Sequence, residues 1–495
     1  MSSQAPLNVL IVASEIYPLA KTGGLADATA ALASALAHLG VNSQLVMPGY
    51  ESAQDQARRL VVTAELPPRA GIGEGRLLSG LMPDSDVPVH LVDVPELYRD
   101  GGGLYVHADG SDRLNNPQRF AVLSHAVCDL AMGRLGHAAS DIVHANDWHT
   151  GLVPLLLQQQ RRNHRPGSVF TVHNMAFQGL CPLDQLPGLD IHVEGEAYAG
   201  IEYFGQASFL KSGLVFADWL TTVSPRYAEE ICTPAFGFGL DGVIAARGDR
   251  LSGILNGIDC SIWSPERSPW LPAHYSAGNL EGKARCKAEI QRELGLDMAP
   301  DAPLMIFIGR LTWQKMADVL LEALPRLLDA EPDRQIVVLG EGDRNLELGY
   351  RELAGQYPGR LAIDVGYSEA RAHRLHGGGD ILLHGSRFEP CGLTQLYAMH
   401  FGTIPIVRPV GGLADTVIDA TPAHLADDTA TGFYFDNADA PGLLEAVDRA
   451  IALYRQPARW QRLQRAAMAS NFSWQASAEQ YLALYRRLAE TYLAD

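Results

Sequence analysis

Short runs of Val, Ile and Leu alternate along the whole chain with Ala- and Leu-rich stretches of helical period, and no other feature constrains the fold as strongly. A strand buried on both faces reads as a continuous apolar run, and its parallel neighbour is reached only through a crossover. The alternation therefore predicts parallel sheets covered by helices. A first series of candidate strands lies at residues 9–13, 44–47, 89–92, 141–144, 168–172, 219–223 and 251–255. A second lies at 304–308, 335–339, 361–365, 381–384 and 404–407, with helices such as 25–39, 319–328 and 393–401 interspersed. A polar stretch from Asn256 to Ala299, containing Pro265, Pro269 and Pro272, loses periodicity and separates the two series. The fold class is thus α/β, with two doubly wound, Rossmann-like domains over 1–255 and 256–475. A last stretch of helical period, 476–495, follows Phe472-Ser473-Trp474, a turn that returns it to the first domain.

Composition narrows the function. The 39 Lys and Arg against 57 Asp and Glu leave a formal charge of −18, with no basic block, which argues against nucleic acid as a partner. No apolar run approaches the ~18 residues of a membrane-crossing helix. The first apolar run leads into Glu15 without a basic flank or small-residue cleavage site, so a cytoplasmic location is expected. The six cysteines are scattered without a Cys-x-x-Cys pair, which reads as free thiols in a reducing compartment.

Chemistry-bearing strings follow the candidate strands. Lys21-Thr22-Gly23-Gly24-Leu25-Ala26-Asp27 comes after the first strand and opens a helix. Helix N-termini offer free N–H groups to an anion, glycines admit close approach, and a lysine adds charge. The same string also reads as a glycine turn bearing a solvated lysine. Gly309-Arg310-Leu311-Thr312-Trp313-Gln314-Lys315 holds the equivalent place in the second domain, and its two cations suit a pyrophosphate. Ser386 to Gln395 follows another strand with Glu389, Cys391, Gly392 and Thr394; a carboxylate there can accept sugar hydroxyls or simply initiate a helix. Val410-Gly411-Gly412-Leu413-Ala414-Asp415 repeats the Gly-Gly-Leu-Ala-Asp string. His144, Asn146, Asp147, Trp148 and His149, with His173 and Asn174, form a polar set suited to an uncharged ligand such as a sugar. The spacing of His144 and His149 is poor for a metal, and Asp84-Ser85-Asp86 reads as a solvated turn, so no metal and no cofactor is expected.

In this order the strings, with Leu255-Asn256-Gly257-Ile258-Asp259, resemble the bacterial glycogen synthase and plant starch synthase family over nearly the whole chain. The resemblance implies a GT-B fold, with two domains facing across a deep cleft, and transfer of glucose from ADP-glucose to the non-reducing 4-hydroxyl of an α-1,4-glucan with retention. It assigns Lys21 and Gly24, with Gly23, to the distal phosphate and sugar, and Arg310 and Lys315 to the pyrophosphate. Glu389 would hold donor-glucose hydroxyls, Thr394 would add a backbone or hydroxyl contact to the pyrophosphate, and Cys391 and Gly392 would belong to the same substrate site. Asp27 and Asn256 would line the nucleotide-sugar site, Tyr367 would stack on adenine, and His173 would sit near the donor glucose beside Asp147. Related retaining enzymes using UDP-glucose, and an inactive glucan-binding protein, are the alternatives. No carboxylate pair at about 5–5.5 Å is evident, so same-face attack is favoured, with the leaving phosphate accepting the acceptor's proton. Two departures stand out: Met316 replaces the family's usual glycine, and His384-Gly385 replaces its usual residues before Ser-Arg-Phe-Glu.

Overall fold

The computed structural model describes residues 6–99, 101–107, 111, 113–160, 165–366 and 368–493. Two compact units divide the chain, one formed by Met1–Gly257 with Trp474–Asp495 and the other by Ile258–Ser473. Asn256, read from sequence as opening the second domain, instead belongs to the first unit.

The first unit is built on β1 (Asn8–Val12), β2 (Asn42–Pro48), β3 (Arg58–Glu65), β4 (Arg76–Leu81), β5 (Pro88–Asp93), β6 (Ile142–Asn146), β7 (Gly167–Val172), β8 (Leu180–Pro182), β9 (Glu202–Tyr203), β10 (Gln206–Ser208), β11 (Trp219–Thr222) and β12 (Leu251–Gly253). The main sheet runs β12-β11-β7-β6-β1-β2-β5-β4-β3, parallel as far as β5. Antiparallel β4 and β3 extend that edge. The periodicity reading missed these two strands. A three-stranded sheet, β8-β10-β9, stands apart from the main one.

β6 and β7 are buried along their whole length, as strands covered by helices on both faces must be. The helix Gly24–His38 buries Leu25, Ala28, Leu32 and Leu36, one stripe at helical spacing. The helix Trp474–Leu493 buries Tyr481 and Tyr485, and the Tyr485 hydroxyl meets His144 Nδ1 at 2.7 Å. With Thr171 Oγ1 on its other nitrogen at 2.5 Å, His144 serves the core, and burial pushes its pKa down to about 3. It is therefore not a ligand-facing group.

The second unit holds β13 (Leu304–Ile308), β14 (Gln335–Gly340), β15 (Leu361–Val365), β16 (Ile381–His384), β17 (Ile404–Val407) and β18 (Phe433–Tyr434). They form one parallel sheet in the order β15-β14-β13-β16-β17-β18. The stretch that loses periodicity in the sequence contains a helix, Glu281–Glu293, whose buried side chains include Lys283, Cys286, Lys287, Ile290 and Gln291. The spacing is helical, but the chemistry is polar. Lys283 donates to Phe401 O at 3.0 Å and Thr403 Oγ1 at 2.9 Å, while Lys287 pairs with Asp380 at 2.7 Å. Among the described residues no helix is long and apolar enough to cross a membrane.

Candidate active site

In an open α/β sheet, ligands collect beyond the carboxyl ends of the strands where the strand order reverses. In the second unit that point lies between β13 and β16, which run side by side while their successors β14 and β17 lie on opposite flanks. The loop after β13 carries Arg310 and Lys315, and the loop after β16 carries Glu389. These residues do converge: Lys315 Nζ is paired with Glu389 Oε2. Ser386 Oγ donates to the same oxygen at 2.8 Å, and His384 Nε2 approaches it at 3.3 Å. Among the described residues no donor reaches Oε1.

Glu389 is only 5% exposed. Burial alone would raise its pKa, but the Lys315 charge and the His384 hydrogen bond outweigh it and hold the carboxyl well below the ordinary range. Burial lowers the His384 pKa, leaving a neutral ring beside a carboxylate, so Nε2 carries the proton that faces Oε2.

The two loops are laced together. Gln314 Nε2 donates to Phe388 O at 3.2 Å, and Arg387 N donates to Gln314 O at 2.8 Å. Arg387 forks onto Asp318 with two contacts of 2.8 Å and lies over the Trp313 ring at 4.5 Å. Arg310 projects into solvent, with one 3.4 Å contact to Gln314 Oε1.

Met316 has φ 53° and ψ 31°, the left-handed conformation that favours glycine. Its side chain is 2% exposed, and a Cβ added at Gly385 would stand 3.4 Å from Met316 Cβ and Sδ. The two departures from the family pattern thus lie side by side, with Gly385 leaving the space beside Met316.

The repeated string at Gly411 and Gly412 braces this site from behind. A Cβ on Gly411 would fall 2.0 Å from Glu389 O, and one on Gly412 2.1 Å from Cys391 O, while Gly412 N donates to Glu389 O at 3.0 Å. Cys391 is buried, Gly392 has φ 71°, and Thr394 starts the short helix Thr394–His400. Tyr367 lies outside the described residues.

The first unit has its own cluster, at the ends of adjacent β1, β6 and β7. Lys21 Nζ pairs with Asp27 at 2.9 Å and lies 5.1 Å from the centre of the Tyr17 ring. Glu15, which the sequence reading did not single out, organises this loop: its Oε2 accepts from Thr22 N at 2.5 Å and Thr22 Oγ1 at 2.7 Å. Its only sequence signal is an acid just past a strand end. Burial pushes the Glu15 carboxyl up to about 7, and it raises Asp27 as well, against the pull of Lys21.

Gly23 is extended, and a Cβ there would make only ordinary contact, 3.8 Å from Glu15 Oε1. Neither backbone angle nor internal space requires glycine at that position.

Asp147 follows β6 at φ 58° and ψ 176°, a strained geometry of the kind that clusters at functional sites. Its Oδ1 accepts from His173 N at 2.8 Å, and burial raises its pKa to about 7. His173 Nε2 lies 2.9 Å from Asn146 Oδ1, and burial drops its pKa to about 4. His149 is stacked between Trp148 and Tyr105. Asn256 is buried at the end of this unit. Asp86 pairs with Arg58 at 3.1 Å on an exposed edge. Among the described residues no cluster of three or more metal-ligating side chains is found.

Known proteins match this arrangement along its length. Residues 8–246 match the family model described as starch synthase catalytic domain, and 289–466 match glycosyl transferases group 1. The chain is 50% identical to a glycogen synthase of Burkholderia thailandensis, over 97% of this chain and 90% of that protein. It is 47% identical to one from Thioalkalivibrio sulfidiphilus, over 97% and 100%. The catalytic domain of starch synthase IV from Arabidopsis thaliana, solved with ADP and acarbose, superimposes with a TM-score of 0.88 at 30% identity, covering 98% of this chain and all of that one. The chain belongs to the glycogen synthase and starch synthase family of GT-B glucosyltransferases.

Proposed function

We propose that the chain transfers glucose from ADP-glucose to the non-reducing 4-hydroxyl of an α-1,4-glucan with retention, using Arg310, Lys315 and Glu389 on the donor. The supporting observation is the Lys315–Glu389 pair at the strand-order reversal of the second unit, with three donors on Oε2 and none described on Oε1. Cleavage of the anomeric C–O bond builds positive charge on the sugar and negative charge on the diphosphate. Fixed cations at the phosphates therefore stabilise the transition state more than the ground state.

In this reading Lys315 and Arg310 neutralise the leaving ADP, and Oε1 of Glu389 accepts a hydroxyl of the donor glucose. Cys391, Gly392 and Thr394 line the phosphates, and Tyr367 stacks on the adenine. The acceptor hydroxyl attacks from the face the phosphate leaves, and a phosphate oxygen takes its proton.

The cluster of the first unit suits neutral hydroxyls. Two of its carboxyls sit near 7 through burial, His173 is neutral, and Lys21 is balanced by Asp27. Asp27, Asp147, His173 and Asn256 are accordingly read as lining the sugar, while Lys21, Gly23 and Gly24 are assigned to the distal phosphate and sugar by the family resemblance. The adenine nucleotide is favoured by the starch synthase solved with ADP. A cytoplasmic location belongs to the same reading, on the scattered cysteines of the sequence and their lack of a Cys-x-x-Cys pair.

The test is incubation of the purified chain with glycogen and labelled ADP-glucose or UDP-glucose, counting label in polymer. Transfer from ADP-glucose is expected. Preference for UDP-glucose would replace the donor, and glucan binding with no transfer from either would discard the assignment.

A further inference from the structure

We infer that His384 is a positioning residue which, with Ser386, keeps Glu389 hydrogen-bonded while Lys315 leaves it for the donor diphosphate. The inference rests on the reading above in which Lys315 meets the phosphates.

Lys315 and Glu389 face each other directly, and a lysine held in an ion pair has less charge to offer an arriving phosphate. Moving the lysine away strands a carboxylate that is 5% exposed, and an uncompensated buried charge is costly. Something must therefore remain on that oxygen. Ser386 Oγ at 2.8 Å and His384 Nε2 at 3.3 Å both point at Oε2, the atom the lysine holds.

Three features make His384 suited to this. It is the last residue of β16, so it is held by the sheet rather than by a loop. Its ring is buried and neutral beside Lys315, so it donates one hydrogen bond without placing a second fixed cation against the carboxylate. Its 3.3 Å contact is longer than the usual 2.7–3.2 Å of an N–H···O bond, as befits the third donor crowding one oxygen. Departure of the lysine leaves room for that contact to shorten. A Cβ at Gly385 would stand 3.4 Å from buried Met316, so the residue after His384 lies beside the residue after Lys315.

The experiment compares the intact chain with His384→Leu, His384→Gln and Lys315→Ala, measuring kcat, donor KM and inhibition by ADP, with thermal unfolding as the folding control. Loss of one hydrogen bond to a charged group predicts that His384→Leu raises donor KM and the ADP inhibition constant together by about tenfold. The change in kcat should be smaller. In His384→Gln the amide nitrogen reaches the same point, and both constants should return toward those of the parent. If His384→Leu does not fold, His384→Asn, polar but too short to reach Oε2, carries the same expected loss. A folded loss variant with unchanged donor KM and ADP inhibition overturns the inference, as does a Gln variant no better than Leu. Unchanged donor KM and ADP inhibition in Lys315→Ala would instead overturn the donor-site reading, and the role of His384 with it.

Discussion

Replacing Lys315 with methionine removes the cation paired with Glu389 while keeping a side chain of similar length. Breaking a buried ion pair from one side costs about 3–5 kcal/mol, and Ser386 and His384 still donate to Oε2, which places the cost near the lower end, about 3 kcal/mol. For a domain of this size that lowers the unfolding midpoint of the second unit by about 6–12 °C. The loss depends on pH in a defined direction. The folded-state pKa of Glu389 lies below its ordinary value of 4.5, so its contribution is fully present above 4.5 and fades as the pH falls toward the depressed value. The gap between parent and Lys315→Met is therefore widest at neutral pH and narrows in acid. The double variant Lys315→Met/Glu389→Gln leaves no unpaired charge at this site and should recover most of the lost stability without recovering labelled-glucose transfer. Urea unfolding followed by circular dichroism at pH 7 and pH 4 reads all three proteins. A double variant no more stable than Lys315→Met, or a gap that does not change with pH, refutes the reasoning.

Glu15 has the opposite sign: its folded pKa of about 7 exceeds the ordinary 4.5, so its contribution is present below 4.5 and is lost as the pH rises through 7. Glu15→Gln should flatten the decline in urea midpoint between pH 5 and pH 8, and an unchanged slope would refute it. At position 316, glycine and alanine both empty the space the methionine fills, but only glycine relieves the left-handed angle. Met316→Gly should therefore be more stable than Met316→Ala by about 1 kcal/mol, with both below the parent; the reverse order of melting temperatures would refute this. Gly23→Ala should keep its melting temperature and lose transfer activity. Gly411→Ala should lose both, because its Cβ meets Glu389 O at 2.0 Å; equal stability of the two variants would count against the distinction.

The parallel core was legible because its strands are buried on both faces and read as unbroken apolar runs. β3 was not, since its valines face outward, Val61 59% exposed and Val62 50%, and arginines begin the strand. The helix Glu281–Glu293 was hidden for the opposite reason. Its buried face is spaced correctly but includes Lys283, Lys287 and Gln291, whose polar ends are satisfied by carbonyls and by Asp380, partners that no local pattern reveals. The site divides along the same line. Each string was visible at its strand end, yet the convergence on a single oxygen joins Glu389 to a lysine 74 positions away and to His384, which entered the sequence reading only as a departure.

The two Gly-Gly-Leu-Ala-Asp strings make the limit concrete, because identical letters answer to different physics. At Gly411 and Gly412 the backbones of Glu389 and Cys391 come so close that a Cβ has nowhere to go. At Gly23 a Cβ would meet nothing nearer than 3.8 Å, so the fold itself makes no demand for glycine there. The first pair of glycines is accounted for by packing within the protein; Gly23 is left to be explained by what approaches it from outside.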